Sequence, residues 1–262
     1  MKFNVAYKIC AIVVAVGFSQ TLAQVAPSLN LNSMLQYPVV QLFLSTDVNN
    51  NLSIEPVPAE HALLIQFLED RLDLRFKIER LPWKRALSRT IAGDGFLFGV
   101  SKTKERLQVL DFSEPLFEDH AWLVTRCDCQ FSFKTLADLK NKTIGIVRGT
   151  SVGEAFDAEA NKSFRIEDDT DATEARFIKL DKGRMDALVF YKRTAISREV
   201  LARDLNQRYA PKRENKKEPV FCVLEKPVAT SSIHIAVKKA VHQQLLQRLN
   251  EVIVSARFVS GL

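Results

Sequence analysis

Arg106 lies in the segment SKTKERLQVLDFSEPLF, residues 101–117, three residues after Thr103 and shortly before an Asp-Phe-Ser-x-Pro turn. A planar guanidinium can make two parallel charge-assisted hydrogen bonds to a carboxylate, a geometry that lysine does not reproduce. The residues alone leave two readings: Arg106 grips an anionic ligand, or it pairs on a helix surface with Glu105 or Asp111. Thr150 and Ser151, in the turn Arg148-Gly-Thr-Ser, raise a similar choice. A turn that opens a helix exposes backbone amides and the positive end of the helix dipole to an anion, and the same hydroxyls serve equally well as ordinary N-caps. Ser101 ends an apolar strand and is a further candidate. Trp83 follows Pro82 at a strand-to-helix turn, where an indole either stacks on a ligand or packs in the core. No carboxylate pair and no Ser/His/Asp or Cys/His order suggests a catalytic residue, so none is expected. The histidines at 61, 120, 234 and 242 are isolated, and no metal site or cofactor is expected.

These residues need a frame, and the chain has the rhythm of one. Val39–Leu44 reads as a strand. Ala59–Leu72 reads as a helix with Leu64, Leu68 and Leu72 on one face, and Leu74–Glu79 as a strand. A helix enters at Pro82 and ends at Gly93, and residues 95–101 form a buried strand. A second unit follows, with a short helix at Leu136–Leu139, a strand at Thr143–Val147 and a helix at Val152–Ala160. It continues with a strand at Phe164–Asp168, a helix at Ala172–Leu180 stopped at Gly183, and a strand at Ala187–Tyr191. A last helix runs over Ala240–Val254. Strand and helix alternate as in parallel sheet units, which makes the chain α/β.

The N-terminus carries Lys2 and Lys8, the apolar run Ile9–Phe18, and Thr21-Leu-Ala23. That is the pattern of a secretory signal peptide cut near Ala23–Gln24; a run of about ten residues is too short to span a bilayer. The 37 Lys and Arg against 31 Asp and Glu give +6, and losing Lys2 and Lys8 leaves +4. The basic residues are interspersed with acidic ones, so no nucleic-acid surface is expected. The cluster Lys212–Lys217 reads as a solvated loop between Pro211 and Pro219. Cys127, Cys129 and Cys222 remain after processing, and a disulfide from Cys222 to either of the others is expected in an oxidising compartment.

Four segments together carry a resemblance: LPWKRAL (81–87), SKTKERLQVLDFSEPLF (101–117), LADLKNKTIGIVRGTSVGEAF (136–156) and KGRMDALVF (182–190). In this order and spacing the chain resembles extracellular solute-binding protein family 3, the periplasmic polar amino-acid-binding type of ABC transporter. The resemblance implies a two-lobed periplasmic binding protein fold of type II with a ligand cleft between the lobes. It implies crossings near Phe117–Val124 and Glu225–Ser232, with Trp122 packed at the first. The expected domains are a signal peptide over 1–23, lobe 1 over 24–118 plus 229–262, and lobe 2 over 119–228. It also implies that Arg106 holds a ligand carboxylate.

The sequence departs from the family in one place. Relatives put an acidic residue after the strand that here reads DALVF, where it holds the ligand ammonium; this chain has Tyr191. Either the ligand lacks an α-amine, or Glu118 or Asp119 substitutes. The expected ligand-binding set is Arg106, Ser101, Thr150, Ser151, Trp83 and Tyr191. The expected partners are a small anionic or zwitterionic ligand and a membrane permease, with no nucleic acid, the protein being a monomer. Two alternatives differ in class: an exported enzyme of the cyclohexadienyl/prephenate dehydratase type, and a ligand-sensing module. No membrane helix or signalling domain is legible up to Leu262, so a sensor's membrane partner is expected to be a separate chain.

Overall fold

The computed structural model describes residues 37–49, 53–193, 196–211 and 219–260; the leader pattern and the Lys212–Lys217 cluster lie outside the described residues. The chain begins with β1 (Val39–Ser45), α1 (Ala59–Leu72), β2 (Arg75–Leu81), α2 (Trp83–Ala92), β3 (Phe96–Ser101), α3 (Lys104–Val109) and β4 (Leu110–Phe112). Then come β5 (Phe117–Arg126), β6 (Thr143–Val147), α4 (Glu154–Glu159), β7 (Arg165–Asp169), α5 (Thr173–Asp181), β8 (Ala187–Lys192) and α6 (Arg198–Tyr209). It closes with β9 (Phe221–Val223), β10 (Ala229–Lys238) and α7 (Gln243–Ser260).

The strand order is β2-β1-β3-β10-β5-β8-β6-β7, with β4 on β10 and β9 on β5. β1 pairs in parallel with β2 and β3, and β6 with β7 and β8. The long strands β5 and β10 run antiparallel to each other and join the two parallel groups. The crossings expected near residues 117–124 and 225–232 fall on these two strands and the turn that precedes β10.

Alternation along each strand feeds two faces. Leu42 and Leu44 pack with Leu68, Leu72 and Leu249 under α1 and α7, while Phe43 turns to the opposite side with Leu97 and Ala86 of α2. In the second group Ala187 and Val189 face Phe156 and Phe164, while Leu188 faces Phe177, Leu201 and Leu205. The inner strands are therefore covered on both faces, which is why β1, β3 and β8 read as near-continuous apolar runs, while the edge strands β2 and β7 do not.

Several boundaries moved for local reasons. α4 begins at Glu154 rather than Val152 because Gly153 sits at φ 142°, a conformation no helix accepts. α7 begins at Gln243 because Ala240 and His242 are left-handed. On α1 the deepest side chains are Ile65, Leu68 and Leu72, with Leu64 only half-buried. The sequence reading lacked α6, whose only buried side chains are Leu201 and Leu205.

Cys127 pairs with Cys222, closing a separation of 95 residues between the ends of β5 and β9, and Cys129 is free and exposed. The chain lacking residues 1–23 is therefore expected to show one reactive thiol by thiol titration under denaturing conditions. A Cys127→Ala/Cys222→Ala variant should lose about 2–4 kcal/mol of stability in urea, chiefly through a less constrained unfolded chain. Three titratable thiols in the wild type, or an unchanged urea midpoint in the variant, would contradict this pairing.

Candidate functional site

The strand ends of both groups meet at one cavity of about 760 Å³, within the usual range for small-molecule sites. β1 delivers Ser45, β3 delivers Ser101, β6 delivers Val147 and β8 delivers Tyr191, each at or near its C-terminal end. Open α/β sheets place ligands at such carboxyl ends. All six residues expected to bind ligand line this cavity.

Arg106 is 7% exposed. Its Nη1 donates to the Ser101 carbonyl at 2.9 Å and to Ser101 Oγ at 3.1 Å, and its Nη2 donates to the Gly149 carbonyl at 3.3 Å. The guanidinium carbon lies 5.6 Å from the centre of a Trp83 ring, within cation–π range. The surface ion pair with Glu105 or Asp111 is absent: no carboxylate lies within 4.0 Å of Arg106 among the described residues. Asp111 instead receives the Ala240 amide and the Gln243 side chain. The backbone reaches this geometry because Thr103 caps α3 by accepting from the Arg106 amide at 3.2 Å, which turns the side chain back over the end of β3. Burial draws the Arg106 pKa below its ordinary value, but a guanidinium keeps its charge in a protein.

Trp83 is both packed in the core and on the cavity wall; its Nε1 donates to the Gly149 carbonyl at 2.9 Å. Gly149, at φ 81°, thus offers one carbonyl to the two side chains from the opposite strand group.

The Thr150–Ser151 turn does not lead straight into a helix. Neither hydroxyl caps a helix, because the N-cap of α4 is Gly153. Thr150 Oγ1 donates to the Val147 carbonyl at 2.7 Å, and Ser151 Oγ donates to Asp157 Oδ2 at 2.5 Å. Asp157 also takes the Val152 amide at 3.1 Å, so an acid lies at this helix start. The two residues remain wall positions. Tyr191 donates its phenol to the Ser151 carbonyl at 3.1 Å, and burial pushes its pKa up to about 12, which keeps it neutral.

The sequence reading did not find the groups that tie the strand groups together across the cavity. Asp171, after β7, accepts the Trp83 amide at 2.7 Å and the Thr46 hydroxyl at 3.2 Å. Asp47, after β1, accepts the Thr173 amide at 3.1 Å and its hydroxyl at 3.0 Å. Helices α2 and α5 have no side-chain cap of their own, having Pro82 and Ala172 at their N-cap positions. Each helix start therefore receives a carboxylate from the opposite strand group, where the dipole favours it. The only sequence signal for these acids is their position just past a strand end.

Arg176, 4% exposed, donates to the Val189 and Gly145 carbonyls at 2.8 and 3.4 Å and stands 4.0 Å from Asp169. Asp169 is paired with Lys179 at 2.7 Å. Asp119 also lines the cavity, whereas Glu118 is exposed and does not, as strand alternation requires.

No family model matches the chain. ABC transporter arginine-binding protein 1 of Escherichia coli (strain K12) is 30% identical over 95 residues, 36% of this chain and 37% of that protein. The match thus spans little more than a third of that curated relative. Among solved structures, holo ArgBP from T. maritima superposes with a TM-score of 0.64 at 23% identity, covering 87% of this chain and 92% of that one. An ancestral arginine-binding protein bound to arginine gives 0.65 at 19% identity, covering 85% and 93%. The chain has the two-lobed solute-binding fold. The amino acid ABC transporter substrate-binding protein AbpA from Streptococcus pneumoniae, bound to L-arginine, agrees, with a TM-score of 0.64 at 17% identity over 88% and 92%. The resemblance carried by the four motifs is borne out by the fold and by this partial match, and these relatives are binding proteins by name. Among the described residues of this solute-binding fold, no helix is long and apolar enough to cross a membrane.

The crossed carboxylates make a testable latch. Asp47→Ala and Asp171→Ala should each cost about 0.5–2 kcal/mol of stability, the worth of a helix cap. In small-angle scattering without ligand, the double variant should have a larger radius of gyration than the wild type. Identical scattering and identical unfolding midpoints would mean that these bonds do not hold the lobes together.

Proposed function

We propose that the protein is an exported solute-binding protein that captures a small carboxylate-bearing solute, an amino acid or related anion, and delivers it to an ABC-type membrane permease. The observation that carries this reading is Arg106: a buried guanidinium on the cavity wall, held in place by carbonyls and a serine, with no carboxylate of the described residues within 4.0 Å. Ser101 and Gly149 orient the fork, and Trp83 supports it from below. The lobes divide as the sequence suggests, 24–118 with 229–262 against 119–228, after removal of 1–23. A ligand bridging Arg106 and the opposite wall stabilises the shut form by the contacts it makes only there. The matched stretch of an arginine-binding protein and the fold shared with arginine-bound structures support an amino acid as the solute. The protein acts as a monomer, without cofactor, and turns over nothing.

Two experiments test this reading. Titration calorimetry against a solute found by thermal-shift screening should show Arg106→Ala losing about 2–5 kcal/mol of binding, as for other buried charge pairs, and Arg106→Lys recovering only part. Unchanged affinity in a folded Arg106→Ala variant would remove the carboxylate site. Incubation with prephenate or arogenate should yield no product. Turnover abolished by substituting one cavity carboxylate would place the protein among the enzymes.

A further inference from the structure

Within the second strand group the sheet parts at its carboxyl end. β6 and β8 are paired only at Ile144–Ala187 and Gly145–Leu188. Beyond that point β6 continues to Val147 beside β7, and β8 to Lys192 beside β5. The chain leaves β6 for β7 on one side and returns to β8 on the other, so the parting is a topological switch point, where open α/β sheets take ligands. Arg176 of α5 stands in this crevice. Its Nη2 donates to the Gly145 carbonyl of β6 and the Val189 carbonyl of β8, so the guanidinium bridges the two strands where their own ladder stops.

That bridge uses one nitrogen of the guanidinium. Nε is buried without a partner, as is Asp169 Oδ2, and the 4.0 Å between them is too long for a hydrogen bond. Asp169 is held instead by Lys179 at 2.7 Å. Nη1 makes no hydrogen bond among the described residues and is not sealed off as Nε is, and Arg176 lines the cavity. A donor removed from water without an acceptor is costly, and an acceptor brought to it recovers that cost. Burial draws the Arg176 pKa down while Asp169, Tyr191, Asp47 and Asp171 draw it up, and the guanidinium keeps its charge. Asp47 and Asp171 already accept two donors each.

Arg176 is within reach of a solute that Arg106 holds. Arg106 bonds the Gly149 carbonyl and Arg176 the Gly145 carbonyl. These carbonyls are four residues apart in the chain and so no more than about 14 Å apart. We infer, resting on the carboxylate reading of Arg106, that Arg176 sets the specificity for the solute's far end: Nη1 takes an oxygen acceptor there, a carboxylate or an amide carbonyl, and the guanidinium charge turns away a cation. The solute is then an acid whose second end is itself an acid or an amide, not a basic one.

The test uses the chain lacking residues 1–23 and titration calorimetry. Glutamate, glutamine, aspartate, asparagine and glutarate carry the acceptor; norvaline and pentanoate lack it; arginine and lysine carry a cation instead. The wild type should bind one of the first set at least about tenfold more tightly than any of the others, the worth of a hydrogen bond to a charged group. An acid ahead of its amide identifies a carboxylate, and the reverse a carbonyl; either supports the inference. Arg176→Met should bring that solute to within about threefold of its acceptor-free counterpart and leave the counterpart's affinity unchanged. Equal weakening of both would make Arg176 a strand bridge only and overturn the inference. Arginine, lysine, norvaline or pentanoate binding the wild type as tightly as the acceptor-bearing solutes also overturns it. Where Arg176→Met gives no cooperative melt, Arg176→Lys replaces it: a reduced preference supports the inference, and a preference equal to wild type overturns it, because an ammonium does not reproduce the fork. Binding that survives Arg106→Ala, or no binding by any of these solutes, fails the carboxylate reading beneath it instead.

Discussion

A guanidinium buried against carbonyl oxygens, with no carboxylate of the described residues within 4.0 Å, is the constraint on which the rest of the site depends. Arg106 keeps its positive charge at any physiological pH, and the Ser101 and Gly149 carbonyls only partly replace the water it has lost. Such a charge is tolerable where a solute supplies the missing anion. The residues around it are consistent with holding the fork in a fixed orientation: the Thr103 cap sets the turn of α3, and Trp83 closes off one side. The same carbonyl that orients Arg106 also accepts the Trp83 indole, so the Arg106 end of the cavity is built from both strand groups at once.

The scaffold makes this economical. β5 and β10 are shared by the two parallel groups, so the closure proposed for this cavity would turn about them and leave each core intact. The crossed acids, Asp47 on α5 and Asp171 on α2, act at the rim. Each satisfies a helix start that lacks its own cap, so the two strand groups are bonded directly to each other across the cavity. A solute then needs to supply only part of the closing free energy, in the sense that a ligand shifts an equilibrium by its differential affinity for the two states.

Much of this was legible in the sequence where the signal is local. Pro82 and Gly93 bracket α2, and the apolar runs of β1, β3 and β8 are strands buried on both faces. The place of Arg106 on the cavity wall was legible because the motif order drew attention to it, and that of Tyr191 because its strand was legible. What was not legible depends on distance or on a single torsion. Asp47 meets Thr173 across 126 residues and Asp171 meets Trp83 across 88, and nothing near either acid announces its partner. The helix start after the Thr150–Ser151 turn was misplaced because Gly153, at φ 142°, delays the helix and lets Asp157 fold back onto the turn. α6 escaped notice because its surface is polar almost throughout and only Leu201 and Leu205 are buried.

The most direct measurement is a crystal structure of the protein grown with its tightest amino acid from screening. The account predicts the solute carboxylate within about 2.7–2.9 Å of the Arg106 guanidinium nitrogens, the distance of a charge-assisted pair. It also predicts that Trp83 and Ser101 keep the contacts described here. A solute bound elsewhere in the cavity, with Arg106 still engaged only by Ser101 and Gly149, would contradict it.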